Sequence, residues 1–125
     1  MNIPQDLRYT KEHEWVRLEG DIATIGITDY AQGELGDIVF IEVETVGDEM
    51  AVDEVFGTIE AVKTVNDLFS PLDGEVTAFN EGLEDDPEAV NNDPYGNGWI
   101  IRMKLSNPSD FKGLLTPEEY ADVIR

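Results

Sequence analysis

The chain contains no cysteine, which removes disulfide frameworks, thiol nucleophiles and cysteine-based zinc sites together. Any redox chemistry it takes part in has to be carried on an imported group. His13 is the only histidine, so no histidine pair can hold a metal or relay protons. A serine, histidine and aspartate triad would need that one residue, and neither a nucleophile elbow nor a Walker-type phosphate loop is present. Basic residues are scarce: 8 Lys and Arg stand against 28 Asp and Glu, for a formal charge of −20 and a pI near 4.1. Nucleic-acid phosphates and anionic membrane surfaces repel such a chain. No apolar run approaches the ~18 residues of a membrane span. The start, Met1 to Asp6, lacks the basic and apolar regions of a signal peptide. The expectation is a cytoplasmic monomer with no membrane or nucleic-acid partner.

Self-repulsion at this charge strains a compact fold, unless salt near 1 M shortens the Debye length to about 3 Å. A salt-rich cell is therefore one expected source. An acidic surface made for basic partners or for solubility is the other reading. With 125 residues, 14.0 kDa and 41% hydrophobic content, residues 1–125 suit a single domain around one core.

Turn signals cut the chain into many short strands. Leu7 and Tyr9 lie in an N-terminal arm, Thr10 to Glu14 is polar, and Trp15 to Leu18 and Ile22 to Ile27 read as strands joined at Gly20 and Asp21. Ala23, Ile25 and Ile27 share one face, the pattern of a half-buried strand. Thr28 or Asp29 can cap a two-turn helix through Leu35, closed by Gly36. Ile38 to Val43 is nearly continuous apolar sequence, which predicts a strand covered on both faces. Glu75 to Phe79 forms a further strand after the Ser70 to Gly74 turn. The acidic stretch from Asn80 to Asn97 predicts a loop with one helical turn at Pro87 to Val90, and it fails the calcium-loop spacing. Trp99, Ile101, Met103 and Leu105 alternate along a last strand with that set facing the core. Thr116, Pro117 and Glu119 spell a capped helix start, with Leu115 placed to staple onto Tyr120. The fold class is mainly β, a sandwich or barrel with small peripheral helices.

Between these lies the longest β-prone run, Val55 to Phe69. Strands rarely pass about ten residues, so this run should fold back on itself at Ala61 to Thr64. The result is a hairpin with Lys63 at its tip. No Gly or Asn supplies a positive φ there, which disfavours the primed turns and leaves type I. An exposed tip offers the lysine amine to a modifying enzyme; it also suits a plain solvated lysine. Glu60 and Asp67 flank it on opposite arms. They could serve as an acid and base pair in hydrolysis, keep the turn soluble, or mark the lysine for modification. His13 beside Glu14 could be an ordinary surface pair.

Glu60, Ala61, Val62, Lys63 and Thr64, followed by Asp67, Ser70, Pro71, Gly74, Glu75 and Val76, resemble the lipoylation region of the glycine cleavage H-protein family. The resemblance extends through Tyr9, His13, Glu14 and Trp15, then Ala23, Ile25, Gly26, Ile27 and Thr28, then Gly36, Asp37 and Val39, and on to Pro94, Tyr95, Gly98 and Trp99. Ala61 and Thr64 depart from the Ser and Ala common in such families. Biotin-carrying domains also place a lysine on a hairpin tip but usually flank it with Met, so Val62 and Thr64 argue against biotin.

The resemblance implies a barrel-sandwich hybrid fold and lipoate joined through an amide to Lys63, with Glu60 helping the lipoate-attaching enzyme to recognise the site. It implies a carrier and not an enzyme. The carrier would take the aminomethyl group of glycine from a pyridoxal-phosphate decarboxylase (P protein) to a folate-dependent aminomethyltransferase (T protein), and a dihydrolipoamide dehydrogenase (L protein) would reoxidise the dithiol. His13, Glu14 and Asp67 are implied as the lining of a cleft that shelters the loaded arm. A related carrier that relays lipoate to other proteins is the alternative function.

Overall fold

In the computed structural model, which describes residues 2–125, nine strands form two antiparallel sheets. The strands are β1 (Arg8–Tyr9), β2 (Glu14–Glu19), β3 (Ile22–Ile27), β4 (Ile38–Glu42), β5 (Glu49–Met50), β6 (Val55–Ala61), β7 (Val65–Phe69), β8 (Gly74–Phe79) and β9 (Ile101–Leu105). Six of them order as β1-β2-β3-β9-β8-β5, and three as β4-β6-β7. The core draws Ile25, Val76 and Met103 from the larger sheet and Ile38, Ile59 and Leu68 from the smaller. A second cluster joins Leu7, Tyr9 and Trp15 to Tyr120.

The helices are short: α1 (Asp29–Leu35), α2 (Gly82–Asp85), α3 (Ala89–Asn92), a 3-10 turn (Pro108–Gly113) and α4 (Pro117–Val123). Thr28 caps α1 by accepting from Ala31 N–H, and Gly36 closes it at φ 80°, a left-handed value that suits glycine. Thr116 and Glu119 form a complete capping box on α4, as the sequence pattern predicts. The acidic stretch holds two helical turns, α2 and α3, where one was expected at Pro87 to Val90.

Two burial expectations are corrected. Ile38 to Val43 was expected to be covered on both faces, but Val39 and Phe40 are 46% and 49% exposed. The cause is position: β4 is an edge strand, and its register to β6 shifts between Ile38 and Phe40. Conversely, β3 is buried on both faces and not half-buried. Trp15 lies across from Gly26, and a Cβ on Gly26 would come within 2.7 Å of its indole. The indole replaces the solvent that the alternating pattern implied. On β9, Ile101, Met103 and Leu105 face the core as expected, but Trp99 lies before the strand and is only half-buried, packed on the second cluster, while Ile100 is buried.

Candidate functional site

β6 and β7 pair from Val55↔Phe69 to Glu60↔Val65, and Ala61 N–H donates to Thr64 C=O at 2.8 Å. The tip is therefore Ala61 to Thr64, where the length of the run placed it. His13 and Asp53 are the only non-glycine residues with positive φ among those described, so neither Val62 nor Lys63 adopts a left-handed conformation. That excludes the primed turns and type II, in accord with the type I expectation. Val62 N–H donates to Asp37 C=O at 3.1 Å and braces the tip from the segment after α1. Lys63 itself is exposed, and among the described residues its amine has no hydrogen-bond or ion-pair partner. Its stem passes over Gly36, where a Cβ would sit 3.8 Å from Lys63 Cε. An unpartnered amine held on a rigid hairpin is open to acylation.

Beside the hairpin lies a cleft of about 240 Å³. Its walls come from three places: the turn into β2 and that strand's first residue give Glu12, His13 and Glu14; α1 gives Tyr30, Ala31, Glu34 and Leu35; β7 gives Asn66, Asp67 and Leu68. Ile27 and Ile59 complete it. The cleft thus brings together His13, Glu14 and Asp67, the three residues that the resemblance implied. Asp67 stands four residues beyond Lys63, roughly 13 Å along an extended strand, so an arm rooted at Lys63 can lie along β7 and reach the cleft. Glu60 is exposed, opposite Val65 and Phe40, and does not line the cleft. An acid and base pair with Asp67 across an enclosed substrate is therefore not what this hairpin builds.

The turn from Thr10 to Glu14 is held by its own hydrogen bonds. Thr10 Oγ1 accepts from Glu12 N–H and Glu14 N–H, both at 3.2 Å, and donates to Glu14 Oε1 at 2.7 Å. His13 takes φ 68° to close it. Glu14 is 3% exposed, and burial pushes its carboxyl up to about 7. The Thr10 hydroxyl and the Phe69 N–H, which reaches Oε2 at 3.4 Å, hold it down, while Glu12 and Asp53 add to the rise. His13 is lowered from its usual range, chiefly by burial, against the opposing pull of Glu12 and Glu34. Its Nδ1 lies 2.9 Å from Tyr120 Oη, and its ring packs against Tyr30 with centroids 5.0 Å apart. His13 and Glu14 are thus parts of a built wall and not a surface ion pair.

The residues that reading the sequence missed are Glu12, Tyr30, Glu34 and Asn66. Tyr30, Ala31, Glu34 and Leu35 follow i, i+1, i+4, i+5 spacing, which puts all four on one face of α1. That spacing was the available signal. The combination of an apolar floor, formed by Ile27, Ala31, Leu35, Ile59 and Leu68, with an acidic mouth suits a hydrocarbon arm that ends in a cation. The residues present therefore fit a lipoyl group rooted at Lys63. Among the described residues no cluster of three metal-ligating side chains occurs, and no helix is long and apolar enough to cross a membrane.

The family model described as Glycine cleavage H-protein matches residues 7–125. The chain is 58% identical over 124 residues to the glycine cleavage system H protein of Bacteroides thetaiotaomicron, covering 99% of this chain and 98% of the relative. It is 60% identical over 119 residues to that of Rubrobacter xylanophilus, covering 95% and 92%. Among solved structures, the H protein of Mycobacterium marinum superposes with a TM-score of 0.87 at 37% identity, covering 96% of this chain and 97% of that one.

Proposed function

The chain belongs to the glycine cleavage H-protein family, the non-catalytic lipoyl carriers of that system, and from that premise we propose that Lys63 is the residue that bears the lipoyl group. The observation that carries the assignment is the free, exposed amine at the apex of a braced hairpin beside an acid-rimmed cleft. When bound, the lipoyl group supplies the dithiolane that the cysteine-free chain lacks, accepting the aminomethyl group of glycine and returning to the disulfide through a dehydrogenase. The chain's own residues do three things. The β6–β7 hairpin presents Lys63 to each enzyme, Glu60 marks it for the lipoate-attaching enzyme, and His13, Glu14 and Asp67 shelter the carried amine between encounters. Ionised Glu14 and Asp67 attract an ammonium group at the cleft.

The partners are then the P, T and L proteins, each of which must accept the same tip in turn, and tethering keeps the reactive end at high effective concentration in every complex. The same reading takes the chain as one carrier domain that works as a cytoplasmic monomer. Intact mass of the protein from a lipoylation-competent host tests the assignment. A lipoyl-sized addition that Lys63→Arg abolishes is expected; an addition that survives this substitution sinks it. Glu60→Gln should slow modification without altering the melting temperature.

A further inference from the structure

The C-terminal helix reaches the cleft through one hydroxyl. Tyr120 Oη lies 2.7 Å from Thr28 Oγ1 and 2.9 Å from His13 Nδ1, which ties α4 to the cap of α1 and to the cleft wall. The supply of protons gives this chain a direction. Thr28 Oγ1 accepts from Ala31 N–H at 3.2 Å, and among the described residues its own proton has only Tyr120 Oη to meet. With the Thr28 proton directed to its oxygen, the Tyr120 hydroxyl is free to donate onward to a bare His13 Nδ1, which would leave the hydrogen of a neutral ring on Nε2.

We propose that Tyr120 is a positioning residue of the arm cleft: its hydroxyl passes a hydrogen bond from Thr28 to His13 Nδ1 and keeps the His13 ring neutral, with Nε2–H as its remaining donor. Protonating Nδ1 would make it a donor to Tyr120 Oη and leave one hydroxyl proton, that of Tyr120 or of the buried Thr28, without an acceptor. Burial also lowers the proton affinity of His13, opposed by Glu12 on its own turn and Glu34 on α1. The other titratable groups at the cleft are Glu14, Tyr30 and Asp67. A neutral His13 leaves this acidic set unopposed, so a carried ammonium group meets attraction and no competing cation. The effect on the carried amine rests on the arm-docking reading above; the state of the ring does not.

Because His13 is the only histidine, nitrogen-detected NMR of the full chain reads its tautomer and titration directly. The wild type is expected to show a bare Nδ1 and a protonated Nε2 at neutral pH. Tyr120→Phe keeps the ring that stacks on Tyr9 at 4.7 Å but loses the hydroxyl. It should mix the tautomers and raise the ring's proton affinity about tenfold. Thr28→Ser, which retains a hydroxyl, should behave as wild type. A wild-type ring protonated on Nδ1 overturns the proposal, and so does a Tyr120→Phe titration that matches wild type. Should Tyr120→Phe fail to fold, the wild-type tautomer still decides. On the lipoylated, loaded protein, Tyr120→Phe should shorten the lifetime of the carried amine near pH 6 and leave it unchanged near pH 8. An altered titration with an unaltered lifetime overturns the positioning role, provided that Glu14→Gln and Asp67→Asn do shorten that lifetime. If they also leave it unchanged, arm docking itself is wrong.

Discussion

Glu14 is buried with two hydrogen-bond donors, and they do not offset its lost hydration. Its carboxyl moves from an ordinary 4.5 up to about 7. Between those values the folded chain binds a proton that the unfolded chain has released, so stability falls as pH rises through the window and the cost is complete above about 7. The cost is on the order of 3 kcal/mol. Glu14→Gln should therefore raise the melting temperature by several degrees more near pH 8 than near pH 5.5 in calorimetry; equal shifts at both would contradict the account. The same strain has a use. If the arm docks as proposed, its ammonium group favours the ionised carboxylate, and the protection proposed for Glu14 should strengthen as pH rises through about 7. The loaded wild type compared with Glu14→Gln and Asp67→Asn reports this directly, with both variants expected to lose the amine sooner. His13, Glu14 and Asp67 were legible only through the resemblance. Nothing in their local spacing shows that the turn before β2 folds against β7, because that contact is made by strands far apart in the chain.

At the scale of elements, the hairpin and α4 were the easiest to read, and for opposite reasons. β6 and β7 were exposed by excess, since Val55 to Phe69 is too long for one strand. α4 was exposed by punctuation, since Thr116, Pro117 and Glu119 occupy the cap, first and third positions. Thr116→Ala should cost about 1 kcal/mol and lower the melting temperature by about 4 °C. If the loss is undetectable, α4 is held by the stacking and hydrogen bonds of Tyr120 and not by its cap. β4 misled because an apolar run has the same appearance in a covered strand and at a sheet edge, and only topology tells them apart. β3 misled in the other direction, since Gly26 gives no hint that an indole lies on it. Gly26→Ala should destabilise by about 1–3 kcal/mol through overpacking against Trp15, measurable by denaturant unfolding.

For the whole molecule, charge is the dominant feature. Against 28 acidic side chains, the described residues contain one ion pair, Arg125 with Asp122, and both partners are exposed. The acids are thus screened by solvent and salt and not by internal pairing. Melting temperature should climb by several degrees between low and molar salt, and equal stability in both would remove the case for a salt-rich source. The mainly β class with small peripheral helices and the exposed lysine tip were legible from composition, turn signals and run length, whereas those signals left sandwich and barrel open and the hybrid of the two came only with the resemblance. Which sheet each strand joins was not, because β5, which lies between β4 and β6 in sequence, belongs with β8 to the larger sheet while β4, β6 and β7 form the smaller.

On the proposed function, Lys63 bears the lipoyl arm with which this chain shuttles the aminomethyl group of glycine. Exchange of labelled bicarbonate into glycine, reconstituted with the pyridoxal-phosphate decarboxylase, measures it most directly. Lipoylated wild type should support exchange, and both the unmodified protein and Lys63→Arg should fall to background. Exchange by Lys63→Arg at the wild-type rate, or none by the lipoylated wild type, would contradict the account.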